Sequence, residues 1–115
     1  MRFGIMYRQG EIVIVPFPFS DLSSIKQRPV LILSKNMDNE KVEDIITCGI
    51  TSNIKDSKYS VSIGNENLVE GKVPKPSRIK IDKLFTISQD IVKKKVGRIN
   101  KETFEKVKSE FIKLV

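Results

Sequence analysis

Up to residue 99 the chain alternates short β-branched apolar runs with turn-forming segments, and only after that does it change to a helical period. A run of about four to eight apolar residues between turn signals has the length of a strand and is too short for a stable helix. Residues 11–16, 29–34 and 45–51 read as buried strands. Pro29 fits only as the first residue of its strand, because proline cannot donate to a ladder. Residues 60–63 and 78–82 alternate as half-exposed strands do, residues 84–87 continue the sheet, and residues 96–99, which hold Gly97, read as a last short strand. Residues 20–24, 35–40, 53–58 and 64–77 carry loop chemistry, the last with Gly71, Pro74 and Pro76. Asn100 is placed to N-cap a helix on which Phe104, Val107, Phe111 and Leu114 recur at helical spacing. Many short strands followed by one amphipathic helix predict a mainly β fold, a small barrel with the helix covering one open end.

A length of 115 residues is enough for one core without staples, and a single domain over 1–115 is expected. The net charge of +7 makes an anionic partner the first suspicion. Residues 1–60 carry a net +1 and residues 61–115 a net +6, so the excess belongs to the second half. Lysines on an outer face also serve plain solubility, and charge alone does not locate a site. The chain has no histidine and one cysteine, Cys48. This excludes a histidine acid/base site, a Cys/His zinc site and a disulfide within the chain. One cysteine, no apolar leader segment and no apolar stretch of membrane-spanning length together lead us to expect a soluble, cytoplasmic protein.

Without histidine, phosphodiester cleavage has two routes. A two-metal site needs clustered carboxylates. Only Glu40, Glu43 and Asp44 are close in sequence, in what reads as a solvated turn. The metal-free route works on RNA alone: the ribose 2′-OH attacks its own phosphate, and the protein supplies fixed cations and hydroxyls around the transition state. Arg28 suits that task, because a guanidinium stays charged and grips phosphate oxygens in pairs. Pro29 would hold it extended at the mouth of strand 29–34, exposed on a loop. An ordinary loop arginine is the plainer reading. Thr51 and Ser52 offer hydroxyls at a second strand end, and they also fit a simple turn cluster with Asn53.

Gly10–Asp21 (Gly-Glu-Ile-Val-Ile-Val-Pro-Phe-Pro-Phe-Ser-Asp), Lys26-Gln-Arg-Pro-Val-Leu-Ile-Leu-Ser34 and Ile50-Thr-Ser-Asn53 resemble the MazF/PemK family of toxin endoribonucleases. Residues 76–87 (Pro-Ser-Arg-Ile-Lys-Ile-Asp-Lys-Leu-Phe-Thr-Ile), Val96-Gly-Arg-Ile99 and the closing helix continue the resemblance over nearly the whole chain. It implies an SH3-like β-barrel with a C-terminal helix, a homodimer, and sequence-specific, cofactor-free and metal-independent cleavage of single-stranded RNA to 2′,3′-cyclic phosphate and 5′-OH ends. The family's catalytic arginine maps onto Arg28 and its catalytic threonine onto Thr51. The RNA would lie in a groove shared by two subunits, which an acidic antitoxin blocks. Operator DNA would be reached only through that antitoxin. The segment 20–27 is shorter than in several members and lacks their glycines, and Gln27 stands where some carry histidine.

Phe17 and Phe19 could stack an unpaired base, although aromatics after a strand more often belong to a core. Lys26, Gln27, Ser52, Asn53, Ser77 and Arg78 are the further candidate RNA contacts. The competing readings are a non-catalytic SH3-like module that binds protein or nucleic acid, and a metal-dependent nuclease, which the scattered acids disfavour.

Overall fold

The computed structural model describes residues 6–18, 25–35 and 43–115. Among these, seven strands form one antiparallel sheet in the order β4-β6-β3-β2-β1-β7-β5. They are β1 (Glu11–Pro18), β2 (Ile25–Ile32), β3 (Asp44–Thr51), β4 (Ser60–Ile63), β5 (Leu68–Gly71), β6 (Ser77–Ser88) and β7 (Lys94–Ile99), followed by helix α1 (Lys101–Leu114). The mainly β class with one closing helix holds, and the expected barrel takes the form of a curled half-barrel edged by β4 and β5.

Both faces of the central strands are covered, which is why their sequences read as unbroken apolar runs. On β1 and β2, Ile12 and Leu31 point into one core, while Val13, Val15, Val30 and Ile32 point into another. The first core is closed by α1, whose Val107 is fully buried among Ile63, Ile79 and Ile99. The second holds Ile45 and Ile87, with Tyr7, Phe85 and Val92 packed against it.

The curl has a definite origin in β6. Cys48 pairs with Leu84 but Gly49 with Lys80, so Ile81, Asp82 and Lys83 have no partner on β3. An insertion of odd length reverses the alternation of side chains. Hence Ile79 and Ile81 enter the first core while Phe85 and Ile87 serve the second. The sequence shows this only as two separate alternating runs, 78–82 and 84–87; the structure joins them into one bent strand.

Two other expectations change. The loop expected over 64–77 contains β5, an edge strand pairing with β7; only Leu68 and Val69 are apolar there, and the strand is mostly exposed. Pro29 is not the first residue of its strand but lies inside β2, opposite Ile14. The helix begins as expected: the Asn100 side chain accepts the Thr103 N–H at 2.8 Å. Asn67 fastens that turn to the preceding 3₁₀ turn, its carbonyl accepting the Asn100 N–H and its amide donating to the Thr103 hydroxyl.

At the far edge, Gly71 has φ +78°, and a Cβ there would run into the Val96 carbonyl and the Gly97 Cα. Gly71→Ala is therefore expected to destabilise the protein by about 2 kcal/mol or more. Urea unfolding would show it as a lowered midpoint, and an unchanged midpoint would mean that β5 does not pack on β7 this closely.

Candidate functional site

The site begins with a hydrogen bond that cannot form. Along β2 the backbone groups alternate between neighbours: the Ile32 carbonyl accepts from Gly10 on the β1 side, and the Leu33 N–H donates to Ile46 on the β3 side. Counting back, the Pro29 nitrogen faces β3 and carries no hydrogen. Pairing of β2 with β3 accordingly covers only Val30–Gly49, Leu31–Cys48 and Ile32–Thr47, whereas pairing with β1 runs on to Ile25. Beyond Pro29 the two strands part, and Ile50 and Thr51 pair with β6 alone.

The gap is a cleft of about 850 Å³. Continued by two residues, the β2–β3 register would set Arg28 directly opposite Thr51. Arg28 and Thr51 instead line the two sides of the opening, with Pro29, Gly49 and Ile50 at its closed end. Arg28 shares its face of β2 with Val30 and Ile32, and Thr51 shares its face of β3 with Ile45 and Thr47. Both thus sit on the side of the sheet that carries the second core. The Thr51 hydroxyl accepts the Asn53 N–H at 3.1 Å, which leaves its hydrogen to donate into the cleft. The Asn53 side chain in turn accepts the Lys55 N–H at 3.1 Å.

Asn53, Lys55, Asp56 and Ser57 form one wall, and Lys80, Lys83 and Phe85 come from the bend in β6. Arg28, Lys55, Lys80 and Lys83 thus surround one space, and Asp56 is the single carboxylate among its described lining residues. Some cations outside the cleft are held in ion pairs. Lys95 and Arg98 bind Glu70 at 3.0 and 2.8 Å, and Lys95 also reaches the buried Glu11 at 3.3 Å. Hydrogen bonds from Arg98 and Lys95 hold the Glu70 carboxyl below its ordinary range.

Of the candidates read from the sequence, the cleft brings together Arg28, Thr51 and Asn53. Arg28 is half-buried within β2, not exposed on a loop as expected, because β2 begins at Ile25. Lys26 and Gln27 are exposed further out on β2, and Ser52 is exposed beside the cleft without lining it. Ser77 is buried, its hydroxyl donating to the Lys75 carbonyl at 3.1 Å. Arg78 is committed to Asp56 and Ser60, both at 2.9 Å. Phe17 lies opposite Lys26 in the β1–β2 pairing, and Phe19 lies outside the described residues. Glu43 and Asp44 sit at the other end of β3 from Thr51, and Glu40 lies outside the described residues. A hydrogen bond with Asp90 raises the Glu43 carboxyl.

Sequence reasoning missed Lys80, Lys83, Phe85 and the 55–57 wall. The one available signal was the break in alternation at Lys83. Cys48 takes no part: it is fully buried, and burial, with Asp82 nearby, pushes its thiol up to about 12, so it is no nucleophile near neutrality.

Comparison with known proteins is consistent in kind. A family model described as PemK-like, MazF-like toxin of type II toxin-antitoxin system matches residues 8–115. A mycobacterial endoribonuclease solved in complex with its cognate antitoxin superposes with a TM-score of 0.75 at 19% identity, covering 93% of this chain and 92% of that one. MazE-MazF (Form-II) from Deinococcus radiodurans gives 0.77 at 17% identity over 96% of both chains. Mycobacterium tuberculosis toxin MazF-mt6 gives 0.66 at 18% identity, over 86% of this chain and 91% of that one. At these identities the likeness is one of fold. No match was found among curated protein sequences.

Proposed function

This chain belongs to the PemK-like, MazF-like toxins of type II toxin-antitoxin systems, and from that membership and the cleft we propose that it cuts single-stranded RNA, sequence-specifically and without a metal, between Arg28 and Thr51. The whole chain, 1–115, acts as one such domain, in the cytoplasm; among the described residues no helix is long and apolar enough to cross a membrane. The observation that carries the reading is that Arg28 and Thr51 line one cleft, carried by two strands whose pairing ends at Val30–Gly49.

In the reaction the ribose 2′-oxygen bonds to the adjacent phosphorus as the bond to the 5′-oxygen breaks. The 2′-hydroxyl loses its proton and the departing 5′-oxygen gains one, which leaves a 2′,3′-cyclic phosphate and a 5′-OH. Negative charge builds on the phosphorane oxygens. Arg28 neutralises it with paired N–H donors, and Thr51 donates a hydrogen bond to the same group. Both groups are held by strands before the substrate arrives, so little reorganisation accompanies the reaction. Lys55, Lys80 and Lys83 attract the neighbouring phosphates. The same charge draws a flexible acidic peptide, and an antitoxin tail occupying the cleft would exclude RNA; operator DNA would be reached only through that antitoxin.

We also infer a homodimer. A second hollow of about 740 Å³ lies between α1 and the ends of β2 and β3, lined by Leu33, Ile46, Phe104, Phe111 and Ile112. Ile46 and Ile112 are 48% and 68% exposed, and a second copy would cover this apolar surface. Most of the segment 35–44, beside this hollow in sequence, lies outside the described residues.

Long RNA incubated with the purified protein in excess chelator should be cut. Arg28→Ala should slow cutting by roughly a hundredfold or more with unchanged circular dichroism, and Thr51→Ala should act in the same direction. A folded Arg28→Ala protein with wild-type rate would remove this mechanism. Cutting only on addition of Mg²⁺ would replace it with a metal-dependent one, and no cutting would leave a binding module. Sedimentation at micromolar concentration should give a dimer mass, and a clean monomer would contradict the second interface.

A further inference from the structure

A carboxylate in a cleft meant for a polyanion is a liability, yet Asp56 stands in the wall facing Lys80 and Lys83. Its surroundings explain its presence. The segment 52–58 is exposed throughout, and its one large apolar residue, Ile54, is 56% exposed, so burial does not hold it in place. Side-chain bonds to β6 do. Arg78 is 14% exposed and gives Nη2 to Asp56 Oδ1 and Nε to the Ser60 hydroxyl, each at 2.9 Å. Lys80 gives Nζ to the Ser57 hydroxyl at 2.8 Å. Ser60 closes the circuit, donating to the Ser57 carbonyl at 2.6 Å. Arg78 also pairs with Thr51 across the β3–β6 ladder. The wall is thus referenced to the strand that carries the Thr51 hydroxyl.

We propose that Asp56 and Ser60 are positioning residues, which anchor the 53–58 segment to Arg78 as the outer wall of the cleft and so set how tightly single-stranded RNA is held beside Arg28 and Thr51. This rests on the reading of the cleft as an RNA site. Asp56 acts by holding the wall, and Arg78 is the group it holds, not a group left to meet phosphate. An exposed ion pair alone contributes little, whereas the linked set around a mostly buried guanidinium fixes a geometry.

The sign of one substitution separates this role from simple electrostatics. Asp56→Asn removes a negative charge from the cleft, and Coulomb attraction alone would then make RNA bind more tightly. Loss of the anchor makes it bind more weakly. Steady-state cleavage of a short RNA by Asp56→Asn and by the charge-neutral Ser60→Ala should show KM raised about three- to tenfold, with kcat changed by less than about twofold. Asp56→Glu, which keeps the carboxylate, should restore KM. Trypsin nicking after Lys58, measured without RNA, should be faster in both weakened variants. An unchanged or lowered KM in Asp56→Asn and Ser60→Ala, with the wild type active, would overturn the anchoring role while leaving the functional reading intact. Nicking no faster than in the wild type would also overturn it. A wild-type chain that cuts no RNA would overturn the functional reading and this inference with it.

Discussion

Proline has no amide hydrogen, and at position 29 the missing donor faces a neighbouring strand. The β2–β3 ladder stops one residue later, at Val30, while the β1–β2 ladder continues undisturbed. A sheet interior cannot tolerate such a gap, since the unpaired groups opposite would be buried without partners. Here β3 is paired on its other side with β6 along its length, and the gap opens as a cleft. Arg28 and Thr51 are the residues that would have met if the ladder had gone on. Their separation across the opening and their shared face therefore have one cause.

The bend in β6 completes the cleft by a different device. Ile81, Asp82 and Lys83 interrupt the pairing with β3, and the strand carries Lys80 and Lys83 to the opening while exchanging the core its side chains serve. One irregularity thus curls the sheet and concentrates positive charge beside Arg28. Some cations elsewhere are held by nearby carboxylates, as Lys95 and Arg98 are by Glu70. The local field at the cleft comes from the cations that line it, Arg28, Lys55, Lys80 and Lys83, added to the net charge of +7.

What could be read from the sequence follows what is local. The helix was legible because its N-cap and period lie within one stretch, and the buried strands because their side chains are apolar on both faces. Arg28 and Thr51 were reachable by chemistry and by resemblance, but their relation to each other was not, since it depends on the register of two strands some twenty residues apart. The strand β5 was hidden because an exposed edge needs few apolar residues. Lys80 and Lys83 were hidden because alternation cannot say which face follows an odd insertion. Pro29 was misread for an instructive reason: proline is excluded from a strand paired on both sides, and β2 at that point is paired on one.

The most direct measurement replaces the single ribose 5′ to the cut phosphate by 2′-deoxyribose in an otherwise unchanged RNA. If the strand-held pair Arg28 and Thr51 assists attack by the neighbouring 2′-hydroxyl, cutting at that bond should disappear while the modified strand still competes with unmodified RNA for the cleft. Continued cutting at the deoxy position would show that the nucleophile comes from elsewhere and would contradict this account of the cleft.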